Sequence, residues 1–247
     1  MSTKAGILQQ LRSEILTLEL KPGSILSETV LSERFKISRT PLRDVLKQLA
    51  HEGYIDVYPK RGNLVSYIDL ESVEQIIYLR SILEKDIIKN LAAQNVSLPL
   101  RGILELREIL NKQAEAIRQD HAHEAFLFWD DAFHKALFAL AGRVLLWDLI
   151  QQSNAHYARY RRLHLLKKEK LEEILDEHRL ILECIVNRDA ERIDDLVRHH
   201  LHEDINAAYL LENFAEYLNL PRLEARESDG ASAAHGRKAR GEAEADG

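Results

Sequence analysis

Asp130 and His134 stand four residues apart in the stretch FWDDAFHKAL. On an α-helix that spacing sets a carboxylate and an imidazole on one face, which is half of a site for a divalent metal. Further candidate ligands follow, His178 in EHRLIL and His199, His200 and His202 in RHHLHED. One Asp with three His suits a divalent transition metal. Imidazoles match Zn²⁺ or Ni²⁺, and the carboxylate neutralises part of the charge. Bringing them together requires three separate helices to point inward at one level, as metal sites in bundles do. Eleven histidines in a helical chain also fall beside carboxylates by chance, so spacing alone leaves open a helix that merely carries a charge and a histidine.

A second set of residues suits nucleic acid. The stretch SRTPLRDVL begins with Ser38 and Thr40, which can reach phosphates or bases. Arg39 and Arg43 are again four apart and emerge on one face. Arginine is the side chain best suited to bidentate contact with guanine. Lys60, Arg61 and Gly62 lie at the tip of an expected hairpin, where a glycine lets the backbone approach a phosphate or the minor groove. The alternative is a small helical domain with arginines in solvent.

The elements that must position these residues are mostly helices. Apolar residues recur at helical spacing, and glycine and proline are scarce, 10 and 5. Ile7, Leu8, Leu11, Ile15 and Leu18 mark a first helix that a turn at Pro22-Gly23 ends. Ser27 can cap a second helix carrying Val30, Leu31 and Phe35, and Ser38 a third. Pro41 is tolerated in the first turn of that third helix and Gly53 is a natural stop. YIDVY and NLVSY then read as two short strands. Three short helices and a two-stranded wing describe a winged helix-turn-helix over residues 1–68. From Asp69, a possible cap, a long amphipathic helix follows, with others at about 100–118, 122–140, 143–165, 168–187 and 190–216. The expected fold is therefore mainly α, the winged unit followed by a bundle of six or seven helices over 69–224. Residues 225–247 lack large apolar side chains and are expected to be a disordered tail.

Composition narrows the class. The chain has 247 residues, 45% hydrophobic and 30% charged, a normal mix for a globular protein. No apolar run approaches ~20 residues, the length a transmembrane helix needs. Charges inside the first apolar pattern argue against a signal peptide, and the single cysteine, Cys184, has no partner for an internal disulfide; both fit a reducing cytoplasm. The net charge of −6 is unevenly spread. Residues 1–66 hold ten Lys and Arg against seven acids, so a small basic unit precedes an acidic body, as suits a nucleic-acid partner.

The run LKPGSILSETVLSERFKISRTPLRDVLKQLAHEGYIDVYPKRGNLV resembles the DNA-binding domain of the GntR family of bacterial transcription regulators. The marks are PG then L, the LSERF-x-ISRTPLRDVL segment, the EG after the third helix and the RG before the second wing strand. The resemblance spans nearly all of residues 5–67. It implies a dimer on operator DNA, with groove contacts from Ser38, Arg39, Thr40, Arg43 and Gly62. Some members add an arginine from the second helix; Thr29 occupies that place here, so this contact is not carried over. DDAFHKAL, and then DEHRLILECIVNRDAERIDDLVRHHL, is similar to the FCD ligand-binding domain of the FadR subfamily. The pattern is D-x-x-F-H, E-H about forty residues on, and H-L after a short D-A-E helix. It implies a metal held by Asp130, His134, His178 and His200. Asp131, His199 and His202 fall off the pattern and are expected to face solvent or to support the ligands. Where the family often has Gly-Asn after the DDAFH helix, this chain has Gly142-Arg143, so a particular member's effector does not carry over.

The resemblance further implies a small carboxylate effector at an open position on the metal, with Arg80 as its partner. The alternative for Arg80 is a surface ion pair with Glu84 at i+4. Tyr157, Arg159 and Arg161 in HYARYRR are weaker effector candidates, the run reading first as a solvated face. The expected function is a cytoplasmic, homodimeric repressor on a palindromic operator, switched by a small organic acid. A metal-dependent hydrolase is the competing reading, set back by the lack of a free general base. Glu177 adjoins His178 but projects about 100° away around the helix. A structural metal with a protein partner is the third.

Overall fold

The computed structural model describes residues 3–59, 62–93, 98–120, 122–152, 155–165, 168–202 and 207–219. The expected tail at 225–247, and Lys60 and Arg61, lie outside the described residues.

The N-terminal unit opens with α1 (Lys4–Leu16), whose first turn is capped by Thr3, accepting from the Gly6 amide at 3.1 Å. A short β1 (Ile25–Leu26) precedes α2 (Glu28–Phe35), which Ser27 caps. Lys36 closes α2 in the left-handed conformation, φ 53°, and turns the chain into α3 (Arg39–His51). Ser38 stands at the N-cap of α3 yet makes no side-chain capping bond, so its exposed hydroxyl is not committed to the helix. β2 (Ile55–Tyr58) and β3 (Gly62–Val65) form the expected hairpin, and β1 adds a third antiparallel strand in the order β1-β3-β2. Ile7, Leu11 and Ile15 meet Leu31, Phe35, Leu42, Val45, Leu49, Ile55 and Val65 in one apolar cluster.

The second unit begins with the long α4 (Leu70–Ala92), then α5 (Leu100–Ala116) and α6 (Ala122–Leu140). Next come α7 (Val144–Gln152), α8 (Ala155–His164), α9 (Lys168–Asn187), α10 (Ile193–His202) and α11 (Ala207–Phe214), closed by a 3-10 turn at Ala215–Tyr217. Its own cluster centres on Val73, Leu106, Phe126, Phe133, Phe138, Ile181, Ile185 and Leu210, all shielded from solvent. Cys184 is buried in it. The helix expected at 143–165 is covered by α7 and α8 and that expected at 190–216 by α10 and α11; residues 153–154 and 203–206 lie outside the described residues. Among the described residues no helix is long and apolar enough to cross a membrane.

The chain passes between the clusters at residues 66–69. There Ile68 forms an isolated parallel bridge with Leu218, its amide donating to Tyr217 and its carbonyl accepting from Asn219. Upstream, Gly23 adopts φ +79° directly under the ring of Tyr67, where a Cβ would lie 2.5 Å from the tyrosine oxygen. Gly62 has a similar φ, +83°, with open space around it. Gly62→Ala should cost about 1–2 kcal/mol, the penalty for a side chain in left-handed backbone. Gly23→Ala should cost clearly more, because Tyr67 must also move. Urea unfolding of the two variants followed by circular dichroism checks the difference.

Candidate metal centre

The site is built from five helices of the bundle. One face of α6 carries Asp130 and His134 inward, both buried. α9 supplies His178 and α10 supplies His200, also buried. Their Nε2 atoms converge: 3.2 Å separates His178 from His200, and 3.3 Å separates His200 from His134. Each Nδ1 faces away from this point and meets an acceptor. His134 meets Glu84 of α4 at 2.8 Å, His178 meets the amide oxygen of Gln113 of α5 at 3.0 Å, and His200 meets Glu177 at 2.7 Å.

This arrangement has a chemical consequence. A proton on each Nδ1 leaves the three Nε2 atoms presenting lone pairs to one another. Burial, reinforced by His200 and His134 next to it, holds His178 well below the ordinary imidazole range; burial lowers His134 likewise, against the pull of Glu84. Burial thus disfavours the charged forms of His178 and His134, and a cation placed among the lone pairs relieves the repulsion. Two nitrogens each about 2.1 Å from one ion and about 100° apart lie about 3.2 Å from each other, so the spacing suits a metal. Among the described residues, His134, His178 and His200 form a group able to hold one. Outward Nδ1 bonds of this kind orient ligand imidazoles and raise their basicity.

Asp130 lies at the edge of this group. Its carboxylate oxygens are 3.7 Å from the Nε2 atoms of His134 and His178, and Oδ2 accepts a hydrogen bond from Arg161. Burial pushes its pKa upward, but Arg161, His134 and Arg80 more than reverse that and hold it low. Asp131 stays more exposed and pairs with Arg161 at 2.7 Å. His199 is likewise exposed and sits 3.3 Å from Glu177, and the side chain of His202 lies outside the described residues.

A cavity of about 40 Å³ adjoins the cluster, walled by Arg80, Asp130, His134, Tyr157, Arg161 and His200 among others. Arg80 is almost wholly buried, which sets aside the alternative of a surface pair. It does bind Glu84, Nε to Oε1 at 2.7 Å, and it donates to the Tyr157 hydroxyl, but its Nη2 has no hydrogen-bond partner. A buried guanidinium N–H without an acceptor is costly, and on a cavity wall it marks a place for an anion.

The run HYARYRR is not a solvated face. α8 packs against α4, α6, α11 and α1, and it buries Tyr157, Arg159 and Tyr160. Tyr157 and Arg161 face the cavity. Arg159 does not; it reaches Ser66 between the two units. Glu84, Gln113 and Glu177 were not read as ligand supports. Glu177 does project away from the Nε2 cluster, and that direction carries it to the far side of His200. The available signal was the stagger of Glu84 four residues beyond Arg80.

In the N-terminal unit Ser38, Arg39, Thr40 and Arg43 are all exposed at the start of α3. Arg43 contacts Glu28 at 2.9 Å, and Arg39 lies 3.4 Å from the Thr29 hydroxyl. Gly62 opens β3 and is exposed.

Comparison with known proteins bears on both units. Residues 3–65 match the family described as bacterial regulatory proteins, gntR family, and residues 75–203 match the FCD domain. The chain is 34% identical over 200 residues to an uncharacterized HTH-type transcriptional regulator in an unstable DNA locus of Streptomyces ambofaciens, covering 81% of this chain and 82% of that protein. It is 29% identical to the HTH-type transcriptional repressor RspR of Escherichia coli K12, covering 80% and 85%. Among solved structures, E. coli McbR/YncC shares the fold, with a TM-score of 0.66 at 22% identity, covering 86% of this chain and all of that one.

Glu177→Gln keeps an acceptor beside His200 but removes its charge. It should weaken Zn²⁺ binding roughly 10-fold, the lower end for changes in residues that orient a ligand. Titration calorimetry on chelator-stripped protein checks this, with His200→Ala expected to lose far more.

Proposed function

The chain belongs to the GntR family of bacterial regulatory proteins with an FCD domain, and from this premise we propose a cytoplasmic, homodimeric repressor governed by a small organic acid at the metal centre. Membership makes it a DNA-binding transcription regulator. The proposed working division is 1–68 for operator binding and 69–224 for effector binding and dimerisation. Repression is supported by the likeness to RspR, a transcriptional repressor. A two-fold dimer sets two recognition helices on a palindromic operator. Ser38, Arg39, Thr40, Arg43 and Gly62 face the DNA, and Lys60 and Arg61, which precede Gly62 in sequence, add basic contacts to it.

The observation that carries the effector reading is the juxtaposition of three converging Nε2 atoms with the unpartnered Arg80 Nη2 at one small cavity. A Zn²⁺ or Ni²⁺ held by Asp130, His134, His178 and His200 supplies a Lewis-acid position for a carboxylate oxygen. Arg80 donates to the same carboxylate. Glu84 and Tyr157 hold the Arg80 guanidinium in place, and the apolar wall at Ile77, Ile174 and Leu201 excludes water. The small cavity favours a short acid. A hydrolase is less well supported, because Glu84 and Glu177 are both committed to histidines and neither is a free base.

Chelated protein should melt at a lower temperature than protein reloaded with Zn²⁺ or Ni²⁺, and one acid from a panel of small carboxylates should raise the melting point further only with metal present. If neither metal nor any acid shifts it, the effector reading fails. Arg80→Met should keep the metal response and lose the acid response. Arg39→Ala and Arg43→Ala should each weaken binding to a genomically selected operator by about 1–3 kcal/mol, in gel-shift titrations at fixed salt.

A further inference from the structure

α8 lies between the cavity and the segment that joins the two units. At 100° per residue, Tyr157 and Arg159 project about 160° apart around it. One face, with Tyr157 and Arg161, lines the cavity, and Arg161 binds the candidate ligand Asp130. The opposite face holds the connecting segment. Arg159 donates from Nη1 to the Ser66 carbonyl at 2.6 Å and from Nη2 to the Ser66 hydroxyl at 2.9 Å, while its Nε bonds the Ala155 carbonyl of its own helix. His156 Nδ1 accepts from the Asp69 amide at 3.2 Å. Ser66 in turn donates from its hydroxyl to the Gly53 carbonyl at 2.7 Å, at the end of the recognition helix.

Arg159 is an unusual residue to bury. It is 0% exposed, and its hydrogen bonds end on the Ala155 and Ser66 carbonyls, the Ser66 hydroxyl and the His156 ring, none of them a carboxylate. Burial lowers its pKa to about 10, and the groups that oppose this are Tyr54 and Asp56 of the N-terminal unit. A buried guanidinium without a contacting carboxylate is expensive for folding alone. Its bonds satisfy backbone of the connecting segment, whose other side is held by Tyr217 and Asn219.

We propose that α8 is the link between the metal cavity and the DNA-binding unit, with Arg159 and His156 as the positioning residues that pass a change at Arg161 and Tyr157 to residues 66–69. The proposal rests on the reading of the cavity as the metal and effector site. A metal at the histidine cluster competes with Arg161 for the Asp130 carboxylate. Releasing Arg161 shifts the cavity face of α8, and the rigid helix moves Arg159 and His156 with it. Ser66 and Asp69 then follow, and through Gly53 so does the end of α3. The coupling requires only that metal and effector favour one placement of α8 over another.

Hydrogen exchange of the full-length chain, stripped of metal and then given Zn²⁺ alone, tests this. In the wild type, Zn²⁺ should change exchange several-fold in peptides spanning 62–70 as well as at the cluster. Arg159→Gln and His156→Ala should take up Zn²⁺ with an affinity like the wild type's by calorimetry, yet lose the change at 62–70. The link is overturned if wild-type protein binds Zn²⁺ and 62–70 does not respond. It is also overturned if both variants respond at 62–70 as the wild type does, or if both lose Zn²⁺ binding, which would make these residues part of the general scaffold. A wild type that takes up no Zn²⁺ would sink the metal-site reading itself, and the proposal with it, before any exchange is measured.

Discussion

Glu84 is the residue on which the interior of the bundle turns. One of its oxygens binds the Arg80 guanidinium at 2.7 Å and the other meets His134 Nδ1 at 2.8 Å, all three groups buried. Burial raises the pKa of such a carboxyl, but here Arg80 and His134 hold it far below the ordinary range. Removing one member of a buried charged set leaves the others unpaired, at a typical cost of about 3–5 kcal/mol. The geometry shows what the set does. It fixes which nitrogen of His134 faces the cluster, and it holds Arg80 against Tyr157 and over the Trp147 ring, 5.6 Å from its centroid. One carboxylate thereby orients a candidate metal ligand and a candidate anion partner together, across α4, α6, α7 and α8.

Charge is used differently in the N-terminal unit. Arg12 pairs with Glu52 and Arg34 with Glu14, partly in solvent, where such pairs contribute little. Stability there comes from the apolar cluster around Leu11, Leu42 and Leu49. The recognition face remains polar and open, its arginines resting on Glu28 and Thr29 of α2. A rigid apolar body with exposed cations suits a partner that supplies the negative charge. The bundle does the reverse, closing its cations and acids into a small cavity where a low dielectric strengthens each contact.

What could be read early was what depends on near neighbours in the chain. The cap at Ser27, the glycine stop at Gly53 and the short strand run YIDVY are decided within a turn or a strand, and the winged unit followed from them. Asp130 and His134 share a face through helix geometry alone. Selecting His178 and His200 from several histidines rested on a resemblance of motif, because no local rule separates His200 from His199. The structure separates them: His200 turns inward to Glu177 and the cluster, while His199 stays exposed on the other side of the same carboxylate.

Sequence by itself determined the helical class, the winged helix-turn-helix, the basic start on an acidic body and the residue types suited to metal and DNA. These are set by composition, period and short-range capping. Only the tertiary structure decided that Glu84, Gln113 and Glu177 each meet a histidine, that Arg80 and Arg161 line one small cavity, and that HYARYRR is a packed helix between two units. Those contacts join residues from 23 to 93 positions apart. Whether a charged helix faces water or a neighbouring helix depends on what packs over it, and no periodicity within the helix records that.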